Sequence, residues 1–169
     1  YRRQRQMCII DRAVLEKISL VTALDVPVLF IGPSGSGKRE FARLLHENSR
    51  RAAHSFLCVD CRGLTPAKLS RELQLTAPFG LSGGTLYLKG IEELSADMQG
   101  AVLRMLETGS WVDTEGASCE RADIRLVCGT RKSLAELLEA DVLREELYYR
   151  LCVCPILSLI HISEPTRLA

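Results

Sequence analysis

Lys38 is the side chain whose neighbours best equip it for chemistry. It closes the run Gly32-Pro33-Ser34-Gly35-Ser36-Gly37-Lys38, which fits the spacing G-x-x-x-x-G-K. Glycines in such a run let several backbone N–H groups turn toward one point. A helix beginning at Lys38 adds its positive N-terminal end to the same place. The ligand these features fit is a phosphate group, and a lysine at the end of the run reaches the outer phosphates of a nucleotide. The motif ordinarily continues with Ser or Thr, whose hydroxyl helps hold Mg2+; here the next residue is Arg39. Gly32, Pro33, Ser34, Gly35, Ser36, Gly37, Lys38 and Arg39 are therefore the expected nucleotide-binding residues, with metal binding weakened at the outset.

Other reactive residues form no comparable group. The seven cysteines are Cys8, Cys58, Cys61, Cys119, Cys128, Cys152 and Cys154. An odd number scattered through apolar segments fits reduced thiols in a cytosolic protein. Cys58 and Cys61 make a C-x-x-C, but no second pair stands at zinc-finger spacing, so no metal site is expected. His46, His54 and His161 do not cluster. His46 is expected to pack or to face solvent near a helix end.

The elements that must position Lys38 are legible around it. Val28–Ile31 is a short apolar run after Pro27 and predicts a buried strand feeding the loop. Lys38–Asn48 predicts the helix that follows, with Phe41, Leu44 and Leu45 inward. Upstream, Ile10, Val14, Ile18 and Val21 recur at helical spacing over Ile9 to Leu24. Downstream, strands are predicted at Phe56–Val59, Thr85–Leu88, Ile124–Cys128 and Cys152–Ile156. Helices are predicted from Thr65-Pro66 to Leu73, from Ser95 to Leu106 with Gly109 as the stop, from a capping box at Ser133–Glu136, and over Leu143–Leu151. Pro78 to Gly84 is turn-rich. Strands alternating with helices predict an α/β domain whose mostly parallel sheet is covered on both faces.

The 169 residues suffice for one such domain. At 47% hydrophobic and 25% charged residues the composition is globular, and a net charge of +1 provides no global field for nucleic acid or membrane. No apolar run approaches the roughly 20 residues of a membrane span.

Taken in order, these stretches resemble the central AAA+ ATPase domain of the sigma-54-dependent transcription activators, the bacterial enhancer-binding proteins. GPSGSGK (Gly32–Lys38) stands at the family's phosphate loop, and FARLLHENSRR (Phe41–Arg51) at the helix after it. FLCVDCRGL (Phe56–Leu64) resembles a strand ending in an Asn-Cys pair, with Asp60 in place of Asn. GGTLYL (Gly83–Leu88) precedes the family's acidic pair. MQGAVLRMLETG (Met98–Gly109), DIRLVCGTRKSL (Asp123–Leu134) and LREELYYRL (Leu143–Leu151) resemble the helix before the pre-sensor loop, the sensor strand and the segment carrying two trans-acting arginines. The resemblance implies a P-loop NTPase fold: a three-layer AAA+ sandwich on a five-stranded sheet, without the family's helical lid. It implies ATP as ligand and self-association into rings, with Arg144 and Arg150 reaching a neighbouring subunit's nucleotide. It also implies an RNA polymerase sigma-54 holoenzyme partner, DNA contact only through a helix-turn-helix domain beyond this chain, and a bacterial cytoplasmic location.

The departures fall on the catalytic positions. Lys89 and Gly90 stand where the family has Asp-Glu, the pair that holds Mg2+ and orients water. Glu92 and Glu93 follow but are expected past the strand end. Arg131 replaces the sensor asparagine. The long sigma-54-contacting loop is missing, with Gln74 to Gly83 bridging the gap. The expected protein is thus an ATP-binding regulator with impaired hydrolysis. The alternatives are an ATP-hydrolysing activator carrying sequence errors, or a scaffold that only oligomerises. Residues 1–8 are expected to be a frayed remnant and 9–156 the core. Residues 157–169 resemble a translated transposon-end adapter and are expected to be a non-native tail.

Overall fold

The computed structural model describes residue 12 and residues 15–76, 82–112, 121–139 and 141–157. In chain order the strands are β1 (Val28–Ile31), β2 (Phe56–Asp60), β3 (Thr85–Lys89), β4 (Ser110–Val112), β5 (Arg121–Asp123), β6 (Arg125–Thr130) and β7 (Pro155–Leu157). The helices are α1 (residues 15–22), α2 (Lys38–Glu47), α3 (Pro66–Leu75), α4 (Ala96–Thr108), α5 (Leu134–Glu139) and α6 (Glu145–Leu151). A single 3-10 turn, Ile91–Glu93, follows β3.

The main sheet has the order β2-β3-β6-β1-β7, and each neighbouring pair is parallel. Its strands are apolar in their middles because both faces are covered there, with polar residues such as Asp60, Lys89, Arg125 and Thr130 at the strand ends. Leu29, Ile31, Leu86, Leu88, Leu126 and Cys128 point to the layer that holds Leu69 of α3, Met98 of α4 and Leu147 of α6. Val28, Phe30, Tyr87, Val127 and Ile156 point the other way, against Ile18 and Val21 of α1 and Phe41, Ala42 and Leu45 of α2. The two-residue period of the strands thus divides one apolar sequence between two cores. Ile10 and Val14, expected on the same face of α1, lie outside the described residues.

The helix ends follow local chemistry. Thr65 accepts the Lys68 N–H at 3.2 Å, with Pro66 at the first helical position. Ser95 accepts the Met98 N–H at 3.2 Å, and Gly109 closes α4 at φ 71°. Ser133 and Glu136 exchange backbone-to-side-chain hydrogen bonds of 3.3 and 3.2 Å, a complete capping box.

Several boundaries differ from the sequence expectation. The last strand starts at Pro155, not Cys152, because Cys152 still donates its N–H to Tyr148 O at 2.9 Å as the cap of α6. Leu157, assigned to the tail, pairs in register with Ile31. The antiparallel β4–β5 pair was not anticipated, since three-residue strands are too short to show a period. The middle of the turn-rich stretch after α3, where the sigma-54 loop was expected to be missing, lies outside the described residues.

Candidate nucleotide site

β1 delivers the chain to the phosphate loop at the C-terminal edge of the sheet, where parallel α/β folds bind ligands. Gly32 N–H donates to Thr130 O at 3.0 Å and ties the loop to the end of β6. Gly35 and Gly37 take left-handed φ values of 78° and 83°. Gly37 caps α2, and Phe41 N–H donates to its carbonyl at 2.9 Å. A side chain at either glycine would be strained, which is why the motif needs them. The Lys38 ammonium donates to Gly32 O at 2.5 Å and Pro33 O at 2.9 Å. Burial pushes its pKa below the ordinary lysine value, with Lys89 and Arg131 adding to the effect and Glu92 opposing it.

The loop forms one wall of a cleft of about 390 Å³. Ser34, Gly35, Ser36, Gly37, Lys38 and Arg39 all line it. So do Lys89, Gly90 and Arg131, which the sequence singled out. Lys89 is the last residue of β3, in register with Asp60 on one side and Gly129 on the other. Its backbone is held at the strand end by Cys61 N–H donating to Lys89 O at 3.0 Å. Gly90 N–H donates to Gly129 O at 2.9 Å, and φ at Gly90 is 77°. The chain therefore reverses abruptly into the 3-10 turn.

That reversal brings in a carboxylate the sequence had placed beyond the strand. Glu92 lines the cleft, and its side chain is only 7% exposed. Its Oε2 accepts the Thr130 hydroxyl at 2.8 Å, and its Oε1 lies 3.4 Å from Arg131 Nε. Thr130 Oγ1 also accepts the Lys132 N–H at 3.1 Å, which orients its own hydrogen toward Glu92. Arg131 makes a looser contact with Glu93, 3.5 Å. An acidic doublet just past a glycine was the signal available; its direction depends on the left-handed turn at Gly90.

Arg144 and Arg150 lie elsewhere. The Arg144 guanidinium donates to Ala96 O at 3.3 Å, in a separate hollow between α3 and α4, and its N–H donates to Gln99 Oε1 at 2.9 Å. Arg150 sits 3.8 Å from Glu107 and is 45% exposed. Neither lines the cleft formed by its own chain.

Arg39 and Lys89 offer no oxygen ligand to a divalent cation, while the carboxylates of Glu40, Asp60, Glu92 and Glu93 also line the cleft. Arg39 follows Lys38, and Lys89 ends β3, where oxygen ligands would be required. Among the described residues no group of three His, Cys, Asp or Glu converges as a metal site. Cys58 and Cys61 remain thiols, and burial raises the pKa of both.

Comparison with known proteins agrees with this geometry. Residues 9–157 match the family described as the Sigma-54 interaction domain. A Nif-specific regulatory protein from Rhizobium leguminosarum bv. trifolii is 36% identical over 159 residues, covering 86% of this chain and 45% of that protein. The chain thus spans less than half the length of that relative. The crystal structure of NtrX from Brucella abortus in complex with ADP superimposes with a TM-score of 0.74 at 27% identity, covering 89% of this chain and 35% of that one. The P-loop NTPase domain of a sigma-54 activator from E. coli shares the fold, with a TM-score of 0.64 at 24% identity over 87% of this chain and 92% of that one. With its parallel five-stranded sheet, its phosphate loop at the edge of that sheet and this match along most of its length, the chain belongs to the AAA+ domain family of the sigma-54-dependent transcription activators.

Proposed function

We propose that this domain binds ATP in the cleft and hydrolyses it poorly, as the nucleotide-sensing part of a bacterial cytoplasmic transcription regulator. The observation that carries the reading is the charge at the end of β3. Lys89 joins Lys38, Arg39 and Arg131 around the phosphate loop, at the strand end where the family resemblance implies a carboxylate. A unit charge pair 4 Å apart is worth about 4 kcal/mol at an effective dielectric near 20. Exchanging a carboxylate for Lys89 therefore removes attraction for a divalent cation and adds attraction for phosphate oxygens. Among the structural relatives, the NtrX crystal structure contains ADP, which supports a nucleotide as ligand.

Titration calorimetry with ATP tests the reading. Binding is expected to survive in EDTA with an affinity change of less than about threefold, because the cations substitute for the metal. Lys38→Ala is expected to weaken binding at least about tenfold by removing the half-buried ammonium. A large loss of affinity in EDTA would overturn the metal-free reading. The absence of any ATP signal would overturn nucleotide binding itself.

In this reading the domain self-associates through the family's ring interface and governs transcription through segments beyond this chain. Contact with sigma-54 is reduced, because the stretch between Gln74 and Gly83 is too short to hold the family's long loop. No helix among the described residues is long and apolar enough to cross a membrane.

A further inference from the structure

We propose that Glu92 is the catalytic carboxylate of this cleft, standing in space where position 90 has none in sequence. The inference rests on the reading that ATP occupies the cleft, and it adds the group that carries the slow turnover.

Three observations converge on Glu92. Gly90 has no side chain, and a Cβ built there would lie 3.8 Å from Glu92 Oε1 and 4.0 Å from its carboxyl carbon. The Glu92 carboxylate thus borders the space into which a residue-90 side chain would project, with Glu93 Cγ also 4.0 Å away. Secondly, the group is aimed: it is 7% exposed, fastened by Thr130 through one oxygen and 3.4 Å from Arg131 through the other. Each carboxylate oxygen has a second lone pair available to a water. Thirdly, it faces the phosphate loop. It lines the same cleft as Ser34 to Arg39.

The geometry is the consequence of one backbone feature. At φ 77° Gly90 turns the chain back, so that the second residue of the 3-10 turn returns its side chain over the strand end. Glu93, the next residue, also lines the cleft but is 41% exposed and lies 3.5 Å from Arg131 Nη2. The two acids are therefore not equivalent: Glu40, Asp60 and Glu93 also line the cleft, but Glu92 is the carboxylate held there by both Thr130 and Arg131.

The step balances without a metal. The water oxygen forms a bond to the γ-phosphorus while the bond from that phosphorus to the β,γ-bridging oxygen breaks. The electron pair of the broken bond leaves on ADP. One water proton passes to Glu92 and from there to the released inorganic phosphate. Lys38 and Lys89 face the charge that develops on the phosphate oxygens.

The test is single-turnover hydrolysis of radiolabelled ATP by the full chain and by Glu92→Gln, in one series with magnesium chloride and in another with EDTA. Gln keeps a carbonyl to accept the Thr130 hydroxyl but loses the acceptor facing Arg131, so thermal unfolding of the variant is measured alongside to show that it is folded at the assay temperature. The expected loss of turnover is about 10²-fold, the usual worth of a positioned general base, with ATP affinity equal or tighter because an anion has left an anion-binding cleft. Glu93→Gln should retain parental turnover. A loss of about fivefold or more for Glu92→Gln in either series supports the proposal. A smaller loss in both series, an equal loss for Glu93→Gln, or no turnover by the parent overturns it. If ATP still binds in those cases, nucleotide binding stands and only the role of Glu92 falls. If ATP does not bind at all, both fall.

Discussion

His46 is 4% exposed and both of its ring nitrogens are engaged. Nε2 lies 2.9 Å from His54 O, a carbonyl that can only accept, so Nε2 carries the hydrogen. Nδ1 lies 2.8 Å from the Thr85 hydroxyl, and in the neutral ring it accepts that hydrogen. Burial pushes the imidazole pKa below its ordinary value, against smaller opposing effects of the His54 carbonyl and Glu47. The unfolded chain therefore binds the extra proton first as pH falls, and stability rises with pH between the lowered folded value and about 6.5. Thermal unfolding should show a melting temperature that declines as pH drops below about 6.5, with this component missing in His46→Gln. An unchanged slope in the variant would remove His46 from the account. Gly129 is constrained differently, by close approach. A Cβ there would collide with the Tyr87 hydroxyl, which is buried beneath the cleft. Gly129→Ala should cost about 1–3 kcal/mol in denaturant unfolding by overpacking. Adding Tyr87→Phe should recover part of that loss, because the two positions share one space.

At the scale of elements, the weak point is the attachment of α1 to the sheet. Arg125 is buried at the start of β6 and donates from Nη2 to Val21 O at 2.9 Å and Leu24 O at 2.8 Å. Val21 O also accepts the Leu24 N–H at 3.2 Å, and Leu24 lies just past the end of α1, so one strand residue fastens the end of the helix. Arg51, just after α2, grips Asp25 with two bonds, Nε to Oδ1 at 3.0 Å and Nη2 to Oδ2 at 2.6 Å, and reaches Asp123 Oδ1 at 3.0 Å. Its guanidinium holds the Asp25 carboxyl below the usual carboxylate range. Asp25 is 60% exposed, so solvent screens much of this attraction. Arg51→Lys keeps the charge and loses the fork, and should cost about 1–2 kcal/mol in denaturant unfolding. Hydrogen exchange should locate the loosening in α1 and leave the amides of β3 and β6 protected. Uniform loosening of the sheet would refute this division.

At the scale of the whole molecule, the two arginines of the α6 segment are exposed and turned away from the cleft of their own chain. Arg150 keeps only a 3.8 Å contact with Glu107, a pairing weak enough to be exchanged for a partner's phosphate. If rings assemble as in the family, turnover per chain should rise with protein concentration. Arg150→Ala should abolish that rise while leaving ATP affinity at low concentration unchanged. A trans-acting arginine is worth roughly 10³–10⁵ in rate in related phosphoryl-transfer enzymes, so the effect should be plain even in a slow site. Turnover independent of concentration, or affinity loss in the variant, would contradict a trans role.

Local sequence was enough for much of this. Glycine spacing, the apolar run before it and the lysine after it determine a phosphate loop, because backbone freedom, burial and helix polarity are short-range properties. Caps at Thr65, Ser95 and Ser133 are local for the same reason. That Lys and Gly stand at positions 89 and 90 is likewise visible in the chain itself. Whether the cleft holds a carboxylate could be decided only in three dimensions. Glu92 reaches it through a left-handed glycine two residues earlier and through Thr130, which is 38 positions away in sequence. A backbone reversal and a long-range hydrogen bond leave no period or motif in the sequence, so the side chain that returns over the strand end becomes evident only once β3 and β6 lie side by side.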